Sequence, residues 1–150
     1  MATYQTTYDD TMAFAYVGMV ANGETSNRIS RTQEDSAPLP FGKAVFRGTG
    51  EHGATATPTA GQLLGISIAH EAIAQLASST ADTYPQYSTV AIMTLGVIWV
   101  TAGAAVAKGD QAYVTSGGVI TNVSTSNTIL TGWFFDTAAA SAALVKLAKR

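Results

Sequence analysis

The chain has 150 residues, a formal net charge of −2, only 12% charged residues and no cysteine. That length suits one domain with its own core. The missing cysteines exclude disulfides and thiolate metal sites, and the absence of any Lys/Arg run removes the counterion release that drives nucleic-acid binding.

Charge is about half the usual ~25%, and 21 threonines supply polarity in its place. Threonine suits a pleated surface, where its branched Cβ packs and its hydroxyl meets water or a neighbour. Between Asp82 and Asp136 the only charges are Lys108 and Asp110. A domain so poor in charge is expected to hide part of its surface against other chains, which favours a packing or coating role over catalysis. Without staples it relies on its core or on oligomerisation.

Residues 1–40 read as an irregular N-terminal arm, with Tyr4, Tyr8, Phe14 and Tyr16 as aromatic anchors and Asn22-Gly23 as a turn. The apolar run Met12–Val20 follows Asp9 and Asp10, the wrong charge for a signal peptide. Arg28, Arg31, Glu34 and Asp35 form the densest charge cluster, either a solvated loop or an arm laid over a neighbouring subunit.

Phe41–Arg47 and Leu63–Ala69 read as strands separated by a loop over 48–61, and Glu71–Ser79 as a short helix ended by Tyr84-Pro85. Residues 83–107 carry no charge and are long enough to span a bilayer, but glycines, threonines and Pro85 make a poor membrane helix. Val90–Met93 and Val97–Thr101 are strand-like, with Gly96 as a turn or bulge between them. A hairpin is expected from Gln111–Thr115 through Ser116-Gly117-Gly118 to Val119–Val123, then a strand over Ile129–Phe135. The Ala-rich 137–143 and Leu144–Leu147 are helical by propensity. The expected class is all-β: one structural domain, a β-barrel or jelly-roll-like sandwich over 41–150 with an extended N-terminal arm over 1–40.

Gly48-Thr-Gly50-Glu-His-Gly53 matches the dinucleotide-binding glycine pattern, yet the β-branched, Pro58-containing continuation opens no helix. His52 and His70 have no third ligand at a metal spacing. There is no nucleophile elbow, and carboxylates are too sparse for acid–base pairing. Asn122-Val-Ser124 is a glycosylation sequon with nothing to place it in a secretory route, and Trp99 and Trp133 read as core. No catalytic residue, cofactor or metal site is expected.

Several blocks fall in a telling order. Met1-Ala-Thr-Tyr-Gln-Thr-Thr-Tyr8 comes first and an aromatic-rich arm ends in Gly18-Met-Val-Ala-Asn22, then Arg28-Ile-Ser-Arg-Thr-Gln-Glu34 and Pro40-Phe-Gly-Lys-Ala-Val-Phe-Arg-Gly48. Leu64-Gly-Ile-Ser-Ile68, Met93-Thr-Leu-Gly-Val-Ile-Trp-Val100 and Val106-Ala-Lys-Gly-Asp-Gln-Ala-Tyr-Val114 follow. Over nearly its whole length the chain resembles the structural cement (decoration) proteins of tailed bacteriophages. The Ala-rich tail departs from the Gly-richer endings of that family.

The resemblance implies a mostly-β protein on the outer surface of the phage head, made in the host cytoplasm. It would hold the major capsid protein lattice together against the pressure of packaged DNA. The partners implied are the major capsid protein and further copies of the chain, a homotrimer or alternatively a homodimer, with no nucleic acid and no membrane. Tyr4, Tyr8, Phe14, Tyr16, Arg28, Arg31 and Phe41 are the candidate contacts, with Phe41 alternatively part of the core. The alternative role is a virion surface module for a host surface or carbohydrate.

Overall fold

The computed structural model describes residues 14–70 and 81–150. Among them there is no helix. The strands are β1 (Asn27–Gln33), β2 (Leu39–Pro40), β3 (Ala44–Arg47), β4 (Gly53–Thr55), β5 (Leu63–Ser67), β6 (Thr83–Tyr84), β7 (Thr89–Thr101), β8 (Gln111–Val114), β9 (Ile120–Thr121), β10 (Thr128–Phe135) and β11 (Leu144–Lys149).

Everything is organised around β7. Its sequence, Thr-Val-Ala-Ile-Met-Thr-Leu-Gly-Val-Ile-Trp-Val-Thr, is a near-continuous apolar, β-branched run, the signature of a strand covered on both faces. The first half pairs with β1, placing Ile29 opposite Ile92, and with β5, placing Ile66 opposite Met93. Because the order β1-β4-β3-β5-β7 returns to β1, these strands close into a small barrel. The β1–β4 pair is its parallel pair. The second half of β7 pairs with β11, Val145 opposite Val100 and Leu147 opposite Ile98. From there β10, β8 and β9 continue the sheet. The architecture is a barrel core with extra strands.

The change of partner occurs at a bulge. Asn27 pairs with Leu95 but Arg28 with Met93, so Thr94 is the extra residue on β7. Gly96 follows at φ +129, and a Cβ there would stand 2.9 Å from the Ser26 Cβ. Gly96, expected as a turn or bulge, is neither: it pairs with Lys149, the bulge lies two residues earlier, and the two strands expected over Val90–Met93 and Val97–Thr101 are one.

Alternation along the strands sorts the core into two clusters. Val45, Ala54, Val90 and Ile92 gather with Ile29 and Leu64, so every barrel strand contributes a side chain to the smaller cluster. Ala44, Phe46, Ile66 and Met93, on the opposite faces of the same strands, join Ile98, Val100, Leu130, Trp133, Phe135, Val145 and Leu147 in the larger one. The barrel is thus buried inside and along one outer wall.

Three expectations change. The segment 27–33, read as part of an irregular arm, is β1 and completes the barrel. Residues 14–21 lie as a strap beside the second half of β7. Gly18 donates its amide to Trp99 O (2.8 Å), Trp99 to Met19 O (2.9 Å) and Ala21 to Val97 O (2.9 Å), while Ala69 donates to Gly18 O (2.8 Å). The tail is not helical: 144–149 form β11, because pairing with β7 and β10 outweighs the weak local preference of alanine and leucine for helix. An arm over 1–13 and the helix expected at 71–79 lie outside the described residues.

The β8–β9 hairpin turns where expected, with Gly118 at φ +77 and its amide on Thr115 O at 2.9 Å. Strand β10 breaks register between Ile129 and Phe134 around Gly132. There the Gln111 side-chain amide donates to the carbonyls of Leu130 (3.0 Å) and Trp133 (2.8 Å), satisfying groups the irregular pairing leaves over.

Candidate functional site

Among the described residues no group of His, Asp and Glu is arranged to hold a metal ion, and no helix is long and apolar enough to cross a membrane. The glycine-rich loop has a structural purpose. Glu34, just past β1, places its carboxylate in the loop, where Oε2 accepts the Thr49 amide (2.7 Å) and hydroxyl (3.1 Å) and Oε1 accepts the Gly50 amide (2.8 Å). A Cβ on Gly48 or Gly53 would collide with that carboxylate. The anion in this glycine cradle is the chain's own, and no helix follows it. The amides of Gly50 and Thr49 hold the Glu34 carboxyl below the ordinary glutamate range.

Asp110 is likewise structural: it accepts the Ala107 amide (2.9 Å) and the Asn122 side-chain amide (2.6 Å). Those amides lower its pKa. Asn122 of the sequon is therefore tied down at a turn. Arg150 bridges Glu24 and Asp136, with Nε 2.9 Å from Glu24 Oε2 and one terminal nitrogen 3.0 Å from Asp136 Oδ1. These bonds lower the pKa of both carboxyls and raise that of the guanidinium.

The aromatic candidates lead to a ledge. Phe14 is 77% exposed and meets the Trp99 ring edge-on, with centroids 5.5 Å apart and planes at 72°. Lys146, directly opposite Trp99 on β11, carries its ammonium 5.3 Å from the centroid of that ring. Tyr16 is also exposed. Trp99, expected in the core, is half-buried at this surface, whereas Trp133 is fully buried. An exposed aromatic pair with one cation and a rigid strand beneath it has the make-up of a protein-contact surface.

The other candidates lie elsewhere. Arg28 and Arg31 are three residues apart on β1, so their side chains leave opposite faces and form no common basic patch. Phe41 belongs to the core, edge-on to Tyr84 at 5.2 Å, rather than to the surface. Tyr4 and Tyr8 lie outside the described residues. One exposed aromatic was not foreseen: Tyr87, 75% exposed, in the turn before β7.

A family model described as structural cement protein (E217 gp24/Pam3 gp6) matches residues 4–149. A solved chain from the capsid of Myoviridae phage XM1 is similar at 16% identity and TM-score 0.70, over 98% of this chain and 97% of that one, a likeness of fold. The head fiber gp8.5 N base of bacteriophage phi29 is similar at 13% identity and TM-score 0.48, over 84% of this chain and 95% of that one. No curated protein matches. The family match runs from the aromatic opening segment to the end of β11, and the chain belongs to the phage structural cement protein family.

Proposed function

We propose that this protein coats the outer surface of a phage head and ties neighbouring major capsid protein subunits together, so that the shell resists the pressure of packaged DNA. The observation that carries this reading is the family match over residues 4–149. The role is structural rather than catalytic. Phe14, edge-on to Trp99, and the exposed Tyr16 supply contacts, with Tyr4 and Tyr8 extending the same aromatic segment. The protein acts as a homotrimer, alternatively as a homodimer.

The physics of such a role is modest per site and large in sum. Each contact needs only about 1,200–2,000 Å² of buried surface to be specific. Binding to the expanded shell alone stabilises it by mass action, and linked sites raise the effective affinity without new contacts. A contact surface poor in charge makes binding only weakly salt-dependent.

The test adds purified protein to expanded heads that lack it. Bound copies in regular positions and a higher disruption temperature are expected. Heads that bind none contradict the reading. A virion module for a host surface or carbohydrate is the second reading, favoured by the exposure of Phe14 beside Trp99. Glycan binding by a chain that ignores heads is the result that selects it.

A further inference from the structure

Tyr87 stands out twice: its side chain is 75% exposed, and its backbone has φ +63. A bulky residue disfavours that left-handed conformation, which glycine or asparagine adopts easily. Strain of this kind persists only where the surroundings impose it.

The surroundings do impose it. Tyr87 donates its amide to Gln33 O (2.8 Å), and Gln33 donates its own to Ser88 O (3.0 Å). The Ser88 hydroxyl donates to Pro85 O (2.6 Å), and the Gln86 side-chain amide donates to Glu34 O (2.9 Å). Glu34 is itself fixed by the Thr49 and Gly50 amides. The turn 85–88 is therefore pinned to the end of β1, and β1 to the glycine loop. A rigid mount holds out an aromatic ring that packs little against its own chain. An aromatic side chain with few conformations left to lose is an efficient anchor for a partner pocket.

The location adds to this. Tyr87 precedes β7 at Thr89, and Trp99 lies ten steps along the same strand. At ~3.3 Å per residue the two ends stand roughly 30 Å apart. Pro85, Gln86, Tyr87 and Ser88 carry no charge, so the fitting partner surface is an apolar pocket with a polar group at its floor for the phenol hydroxyl.

We propose that Tyr87 is a second anchor, inserting into an apolar pocket of a capsid subunit at the opposite end of β7 from the Phe14–Trp99 ledge. One strand then joins two contact points. The proposal rests on the shell-binding reading above and adds the surface it uses.

Tyr87→Gly tests it cleanly, because glycine removes the ring and also relieves the backbone strain. The free variant should keep its circular dichroism and hold or raise its melting temperature. Its affinity for expanded heads should fall by about thirty-fold, as for loss of an interface hot spot. Tyr87→Asn, which tolerates the same backbone, should behave alike. Adding Phe14→Ala should compound the loss. Wild-type binding together with unchanged affinity of Tyr87→Gly overturns the anchor and leaves the shell-binding reading standing; no binding by the wild type overturns both.

Discussion

Phe14 meets Trp99 edge-on at 5.5 Å, and the two rings belong to segments far apart in the chain, the strap and the second half of β7. The strap is held there by backbone bonds from Gly18 and Ala21 and by the amide of Trp99. Phe14 itself is mostly in water. Phe14→Ala should therefore leave the urea midpoint nearly unchanged while lowering affinity for heads about ten-fold or more, an effect of hot-spot size. Titration of labelled protein onto heads reads the second quantity. Loss of stability with no loss of binding would assign Phe14 to the fold alone.

The Glu34 carboxyl titrates below the ordinary glutamate range, first because of the Gly50 amide and then because of the Thr49 amide. A depressed folded pKa means the contribution is present above the unfolded value and is lost as pH falls through the folded one. Hydrogen exchange at the Thr49 and Gly50 amides, corrected for intrinsic rate, should be slow at neutral pH and accelerate as pH drops below 4.5, the ordinary value for glutamate. Glu34→Gln should remove that acid dependence. Acid-independent protection in the wild type would mean that the carboxylate does not hold the loop.

A Cβ at Gly65 would collide with Met93 O and come within 2.9 Å of Ile92 Cγ2, where β5 meets β7. Backbone atoms in a closed barrel have little room to yield. Gly65→Ala should cost about 1–3 kcal/mol, the range for overpacking. Equilibrium urea unfolding measures it, and a midpoint equal to wild type would show that the barrel seam is looser than described.

Gln111 spans the irregularity in β10 by donating to the carbonyls of Leu130 and Trp133. Gln111→Leu keeps similar bulk but strands both carbonyls. A loss of about 1–3 kcal/mol is expected, as for groups left without a partner. The same denaturation experiment checks it.

Much of the sheet was legible in the chain. The two halves of β7, expected as separate strands, the Gly117-Gly118 hairpin and the strand ending at Phe135 all follow from β-branched runs bounded by glycine. Strand β1 was hidden because Arg28 and Arg31 make Asn27–Gln33 look like a solvated loop. Only its place in the barrel, with Ile29 turned inward, explains it. Strand β11 was hidden for the opposite reason: alanine and leucine favour helix locally, and long-range pairing decides.

The surface was less legible than the sheet. Trp99 lies between Ile98 and Val100, which both face the core, so alternation alone places it on the other face. Phe41, open to reading as a contact or as core, is core and packs on Tyr84. The positive φ of Tyr87 is set by bonds to Gln33 and Ser88, which no local pattern announces.

Electron microscopy of expanded heads, lacking their own cement protein and incubated with this chain, tests shell binding most directly. Ordered density is expected on the outer surface at the junctions between capsid subunits, with the Phe14–Trp99 ledge against the shell. Bare heads at saturating protein, or density with the ledge turned to solvent, would contradict it.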